Sequence, residues 1–331
     1  MLIEDNSTIS QSIKGAINRR TLIFIAKLVF GIFLLLFLII WKDNGRKVLD
    51  ILSNFHWQYL IGLLSLALTM AWVSCLKWNI FLRERGINVS VIRLIGLYII
   101  GYFFNNFFPS MVGGDFTRIY LLGNQINSKS KSAASVFLER FTGLIALLVL
   151  ALIFSLLNFS LLTNPIIGIS IGFVLFICLA ILIFLFFPSI RDVLYKKLES
   201  MRIFHGLSSK IKLVYDDITF FNRRRKPLFS AMNYSFIFHF LACVNVYICC
   251  FSLGFHPPFL NIAVVTPIIL LLNNIPVSFN NIGWWEWSFS VLLIGAGGGA
   301  ELGLAVALAL RGITFILSIV GGLLFFFERL S

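Results

Sequence analysis

Residues 105–118, Asn-Asn-Phe-Phe-Pro-Ser-Met-Val-Gly-Gly-Asp-Phe-Thr-Arg, constrain the chain most. They lie between two apolar runs, 94–104 and 119–122, each too short to cross a bilayer alone. A spanning helix needs roughly 20 apolar residues in unbroken helical hydrogen bonding. Backbone freed from a helix at membrane depth survives only when buried in protein or facing a wet cavity. The stretch therefore predicts a broken, re-entrant hairpin, about 94–123, inside an all-α polytopic membrane protein.

Composition supports the membrane setting. The 331 residues are 59% hydrophobic and 12% charged, with mean hydropathy +0.94, outside the range of soluble domains. Full spans are expected at 21–41, 57–76, 136–158, 165–187, 228–251 and 302–327, about six in all. Lys27 is expected to snorkel to the surface near the start of the first, and 42–56 reads as a mixed-charge loop. No secretory signal is expected, because a polar stretch precedes the first apolar run.

Net charge is +13, yet the bases sit beside apolar spans and no nucleic-acid-binding fold is present, so nucleic acid is not an expected partner. With both termini inside, 21 bases fall on the cytoplasmic side against three (Lys42, Arg46, Lys47) outside. Ten of the 21 lie in 188–227, where Ile190, Val193, Leu194, Leu198 and Met201, then Leu207, Ile211, Val214, Ile218 and Phe221, recur at helical spacing. This segment is expected to form basic amphipathic helices on the anionic inner leaflet. Cys75, Cys178, Cys243, Cys249 and Cys250 read as buried apolar residues, and the four histidines are scattered singly. No metal, cofactor or catalytic group is expected.

A second broken stretch, 273–286, reads Asn-Asn-Ile-Pro-Val-Ser-Phe-Asn-Asn-Ile-Gly-Trp-Trp-Glu. Like the first, it has an asparagine pair, a proline, a serine, glycine and then an acid. The halves, about 21–158 and 165–327, each read span, span, hairpin, span in opposite orientation. An inverted repeat with broken elements in corresponding places points to a substrate site near the midplane.

At these residues the chain resembles the membrane domain of lysylphosphatidylglycerol synthase/flippase proteins. The family pattern N-x-x-x-P-x-x-x-G-G-D-x-x-R is met by Asn105, Pro109, Gly113, Gly114, Asp115 and Arg118. E-R-x-x-G-L is met by Glu139, Arg140, Gly143 and Leu144, and P-x-x-x-x-x-x-G-x-x-E by Pro276, Gly283 and Glu286. Asn280-Asn281 and Trp284-Trp285 depart from the small residues more usual there. The soluble domain that adds lysine to the lipid is not in this sequence, so the resemblance implies translocation without aminoacylation.

Charges within apolar segments are costly and call for a partner or a task. Arg118, Arg140 and Arg311 are expected to bind a lipid phosphate, which arginine holds in a bidentate way. Asn105, Asn106, Asn274, Glu139, Asp115 and Glu286 complete the candidate site. A second reading gives Asp115 as a helix cap paired with Arg118, and Glu286 neutralising Arg311. Gly113-Gly114 are expected to offer free N–H groups to an anion.

The chain thus predicts a flippase or scramblase for a phosphate-bearing lipid (phospholipid, aminoacyl-phospholipid or polyprenyl-linked glycolipid) in a prokaryotic cell membrane. Anionic lipid is its expected partner. A homodimer or association with a lipid-modifying enzyme stays open. The alternatives are a membrane-embedded transferase on a lipid-linked substrate and a non-transporting partner of a glycosyltransferase. No Gly-rich phosphate loop ending in Lys-Ser/Thr is present.

The topology has a direct test. Cysteines placed near Asn127 should be shielded from an impermeant reagent outside the cell, and those near Ser252 should react. The opposite pattern would refute the orientation.

Overall fold

The computed structural model describes residues 25–40, 44–107, 113–186 and 225–330, and every regular element among them is helical. Helices α1 (Ile25–Ile40) and α2 (Asn44–Ser53) are followed by α3 (Gln58–Arg83), α4 (Val91–Phe107), α5 (Gly113–Gln125) and α6 (Lys129–Leu157). A short 3-10 turn leads to α7 (Pro165–Phe186). Then come α8 (Arg225–Ser252), α9 (Phe259–Asn273), α10 (Trp284–Gly295) and α11 (Ala300–Leu330). The basic segment 188–227 lies almost wholly outside the described residues, as does Pro109.

Among the described residues, helices α3, α6, α8 and α11 are long and apolar enough to cross a membrane. Joined to α2 across an 80° bend, α1 would make a fifth. Helix α7 is a further candidate: its 22 residues, Pro165–Phe186, carry no charge and are nearly as long as the span expected at 165–187. Large side chains such as Phe33, Phe176, Ile319 and Phe326 stand exposed on α1, α7 and α11, the surface a bilayer would cover.

Order and length recur along the chain. Helices α3 to α6 contain 26, 17, 13 and 29 residues, and α8 to α11 contain 28, 15, 12 and 31. The packing follows the same order. The leading long helices, α3 and α8, lie against each other, and each half's two short helices pack together. The first short helix of each half also packs against the closing long helix of the other, α4 on α11 and α9 on α6.

The second break is only partly enclosed: Asn274, Ile275 and Pro276 are exposed, whereas Ser278, Asn280 and Asn281 are buried in protein, where freed backbone is tolerated. In α9, Ile262, Ala263, Val264, Val265, Ile268 and Ile269 are all buried, so the helix is apolar around its whole circumference and sits inside the bundle. Pro267 within it lacks one backbone donor, which only an interior position near neighbouring helices tolerates easily.

Four local expectations change. Residues 42–56 are not simply a loop: Val48, Ile51 and Leu52 share one face of α2 and pack into the core. Helix α3 does not end at Leu76, because Trp78, Phe81 and Leu82, all fully buried, carry it on to Arg83. Lys77 is therefore inside a helix and buried, not in a loop. Helix α6 begins at Lys129 rather than near Val136, with the Ser128 hydroxyl accepting from the Lys131 N–H. Glu139 and Arg140 consequently lie about 15 Å along α6, not one turn in. Lys27 does not simply snorkel; its ammonium donates to the Pro276 carbonyl at 2.8 Å.

Glycine permits the closest helix contacts. A side chain on Gly321 of α11 would meet the Ile99 carbonyl of α4, and one on Gly114 would meet the Gly101 carbonyl. Gly62 faces open space. Gly321→Ala should therefore cost about 1–3 kcal/mol through overpacking. Gly62→Ala should be neutral or stabilising by about 0.5–1 kcal/mol through helix propensity. Melting temperatures of the two variants in detergent check the contrast.

Candidate functional site

The first break closes around Asn105, whose side-chain oxygen accepts the Gly114 N–H at 2.7 Å. That N–H is thus occupied, and Gly114 serves close approach to α4 rather than offering a free donor to an anion. Asp115 is the third residue of α5, not its cap. Its carboxylate accepts from Arg118 at 2.6 Å and from Arg140 at 2.8 and 3.0 Å.

Arg118 is held by two carboxylates. It also donates to Glu139 at 3.0 Å, lies over the rings of Trp78 and Tyr98, and is 2% exposed. The other oxygen of Glu139 faces the Lys77 ammonium at 3.6 Å, an ion pair longer than a hydrogen bond. Lys77, Arg118 and Arg140 thus stand against Asp115 and Glu139, three bases to two acids.

A cavity of about 210 Å³ opens beside this cluster, lined by Lys77, Glu139, Arg140, His239, Asn274 and Trp285 among others. The His239 Nε2 lies 2.9 Å from the Gly143 carbonyl. A carbonyl only accepts, so this nitrogen carries the hydrogen and Nδ1 is left as a bare acceptor. That Nδ1 is buried without a partner. Buried polar atoms are nearly always satisfied, so the exception needs a reason.

The second break has the same pattern. Glu286 is the third residue of α10 and accepts the Gly283 N–H at 2.7 Å. Its other oxygen accepts from Arg311 at 2.6 Å, and Arg311 also donates to the Asn281 carbonyl at 3.3 Å. Gly283 sits at φ +79, where only glycine is unstrained. In both halves the acid and its arginine are 25 residues apart: Asp115 with Arg140, Glu286 with Arg311.

Arg311 lines a second cavity of about 230 Å³ with Asn105, Asn106, Asn245, Thr266 and Asn280. Here too the Asn245 carbonyl oxygen and the Thr266 hydroxyl are buried without partners. Asn280 donates to Asn106 at 3.4 Å, so the two breaks touch. Trp285 and Leu270 line both cavities and form the wall between them. The Trp285 indole N–H, bonded to the Ala307 carbonyl at 3.1 Å, holds that wall in place.

The chain matches the family described as the lysylphosphatidylglycerol synthase TM region over residues 24–322. It belongs to that family. The UPF0104 membrane protein PH1989 of Pyrococcus horikoshii is 28% identical over 323 residues, covering 90% of this chain and 95% of the relative. No solved structure matches. Membership in the lysylphosphatidylglycerol synthase transmembrane family links this multi-pass membrane protein to a lipid-related role.

Against the residues expected from the family motifs, the structure divides the site in two. Asp115, Arg118, Glu139 and Arg140 come together, and Glu286 pairs with Arg311 beside Asn105 and Asn106. The three arginines do not form one cluster, because each half supplies its own acid. Arg118 lines neither cavity, whereas Arg140 and Arg311 each line one. Asn274 reaches the first cavity, and Pro276 contributes the carbonyl that holds Lys27. Sequence reasoning missed Lys77 and His239. An interrupted charge inside a helix-period run (Trp78, Phe81, Leu82) was the signal for Lys77; an isolated histidine carries none.

The cluster makes Glu139 the residue with most to lose. Glu139→Gln leaves Arg118 short of a counter-charge in a buried setting. It should destabilise by about 3–5 kcal/mol. Arg140→Ala, where the lost side chain is about half exposed, should cost much less. Thermal unfolding in detergent distinguishes the two.

Proposed function

We propose that this protein is a lipid flippase or scramblase that carries a phosphate-bearing headgroup between leaflets while the tails stay in the bilayer. The observation behind the reading is the pair of adjoining cavities, one holding Arg140 and the other Arg311, with Trp285 and Leu270 between them. Each cavity has an arginine held by one carboxylate and has polar atoms lacking partners. A phosphate leaves water only where several charge-assisted hydrogen bonds replace its hydration.

The recurring lengths and packing support a further part of the proposal, that the halves form an inverted repeat with both termini cytoplasmic. In that arrangement the Arg140 cavity lies toward the inner leaflet and the Arg311 cavity toward the outer. Rearrangement about the Trp285 wall would pass the headgroup from one arginine to the other. The acids keep the arginines from standing as unpaired charge when the cavities are empty.

Arg311→Ala should abolish translocation of a fluorescent phospholipid in proteoliposomes while the protein still inserts and folds. Arg311→Lys should recover only part of the rate, since an ammonium lacks the bidentate fork. Normal flipping by Arg311→Ala would overturn the assignment. Loss of folding in that variant, restored by adding Glu286→Gln, would make the pair structural instead.

A further inference from the structure

The first cluster has a charge imbalance that the second lacks. Arg311 and Glu286 match one to one. Around Lys77, by contrast, the titratable and charged groups are Glu139 and Arg140 from α6, Asp115 and Arg118 from α5, Tyr98 from α4 and His239 from α8. The remaining cavity groups, Asn273 and Asn274 of α9 and Trp285 of α10, are neutral.

Asp115 accepts from both arginines, and one oxygen of Glu139 is taken by Arg118 at 3.0 Å. Lys77 has only the longer 3.6 Å approach to the other oxygen, with the Phe238 ring 6.0 Å from its ammonium. Its side chain is 4% exposed. Gly143 brings the histidine close: a side chain there would lie 3.5 Å from the Lys77 nitrogen and 3.7 Å from His239 Nε2. The third base thus faces the cavity with no third carboxylate beside it among the described residues.

Arginine does not give up its proton in a protein, whereas a buried lysine can. We propose that Lys77 is a proton-binding site, and that the lipid phosphate and a proton occupy this cavity together. With the cavity empty, a neutral Lys77 amine leaves two bases facing two acids. An arriving phosphate diester adds one negative charge, and the amine takes up one proton to become the ammonium that meets it, giving three against three. No bond other than N–H forms. His239, fixed by Gly143 as a neutral ring, gives the headgroup an acceptor without adding charge. This inference rests on the flippase reading and adds a coupling at the binding step: a lipid phosphate that enters the cavity brings one proton with it, and the amine gives that proton back to water when the phosphate leaves.

The test is calorimetry on the purified full-length protein in detergent, titrated with short-chain phosphatidylglycerol in two buffers of different ionisation heat. Wild type should take up about one proton per lipid bound, read from the difference in heat between the buffers. Lys77→Arg keeps the charge but cannot exchange the proton, so it should bind the lipid with uptake near zero. Lys77→Met should bind more weakly, also without uptake. Lipid binding by wild type with no proton uptake overturns the coupling and leaves the flippase reading standing. No binding at all overturns both. Uptake that survives in Lys77→Arg but disappears in His239→Gln overturns the assignment to Lys77.

Discussion

A carboxylate on the first turn of a helix that begins inside the protein, met by an arginine on the following long helix, organises this chain twice. Asp115 does this at the start of α5 and Glu286 at the start of α10. Each element exists because a helix is interrupted at depth, and the interruption is tolerable only in protein surroundings. The arginine on the long helix is tolerable only because the acid is there. Break, acid and arginine are therefore one solution to one problem. Removing any member leaves either free backbone or free charge in a medium that solvates neither.

The two solutions are not equal. In the second half the pair is balanced and is finished by the Gly283 N–H and the Asn281 carbonyl. In the first half two more bases join, and only one more acid. Evenly matched pairs hold a shape, whereas an excess of one sign gives a cavity an appetite for the other. The sequences of the breaks look alike, but the long helices around them differ at Lys77 and Glu139, and the asymmetry arises there.

Much of this was legible before any coordinates. Broken runs, their matching flanks and the motif acids and bases all follow from helix length and the cost of charge in apolar segments, and both Asp115–Arg118 and Glu286–Arg311 could be named as pairs. Span count and element ends were less legible. A helix continuing to Arg83 needed Trp78, Phe81 and Leu82 to outweigh the charges beside them, which only tertiary burial decides. The amphipathic face of α2 was hidden by Arg46, Lys47 and Asp50 for the same reason. That the arginines would separate into two groups was not legible, because partner choice depends on the packing of α5 on α6 and of α10 on α11 rather than on spacing within any one motif.

The close contact of Gly321 with Ile99 has a consequence for how the chain is made. Helix α4 finds its main partner in α11, which is made only after the whole intervening chain, and α9 finds its own in α6. The first half can therefore be inserted but cannot be completed during its own synthesis. Its short helices must wait, incompletely covered, until α11 supplies the missing wall. Chains cut short before α11 present an unfinished seam to the bilayer. The interleaving that encloses the cavities also ensures that only molecules that include α11 have them.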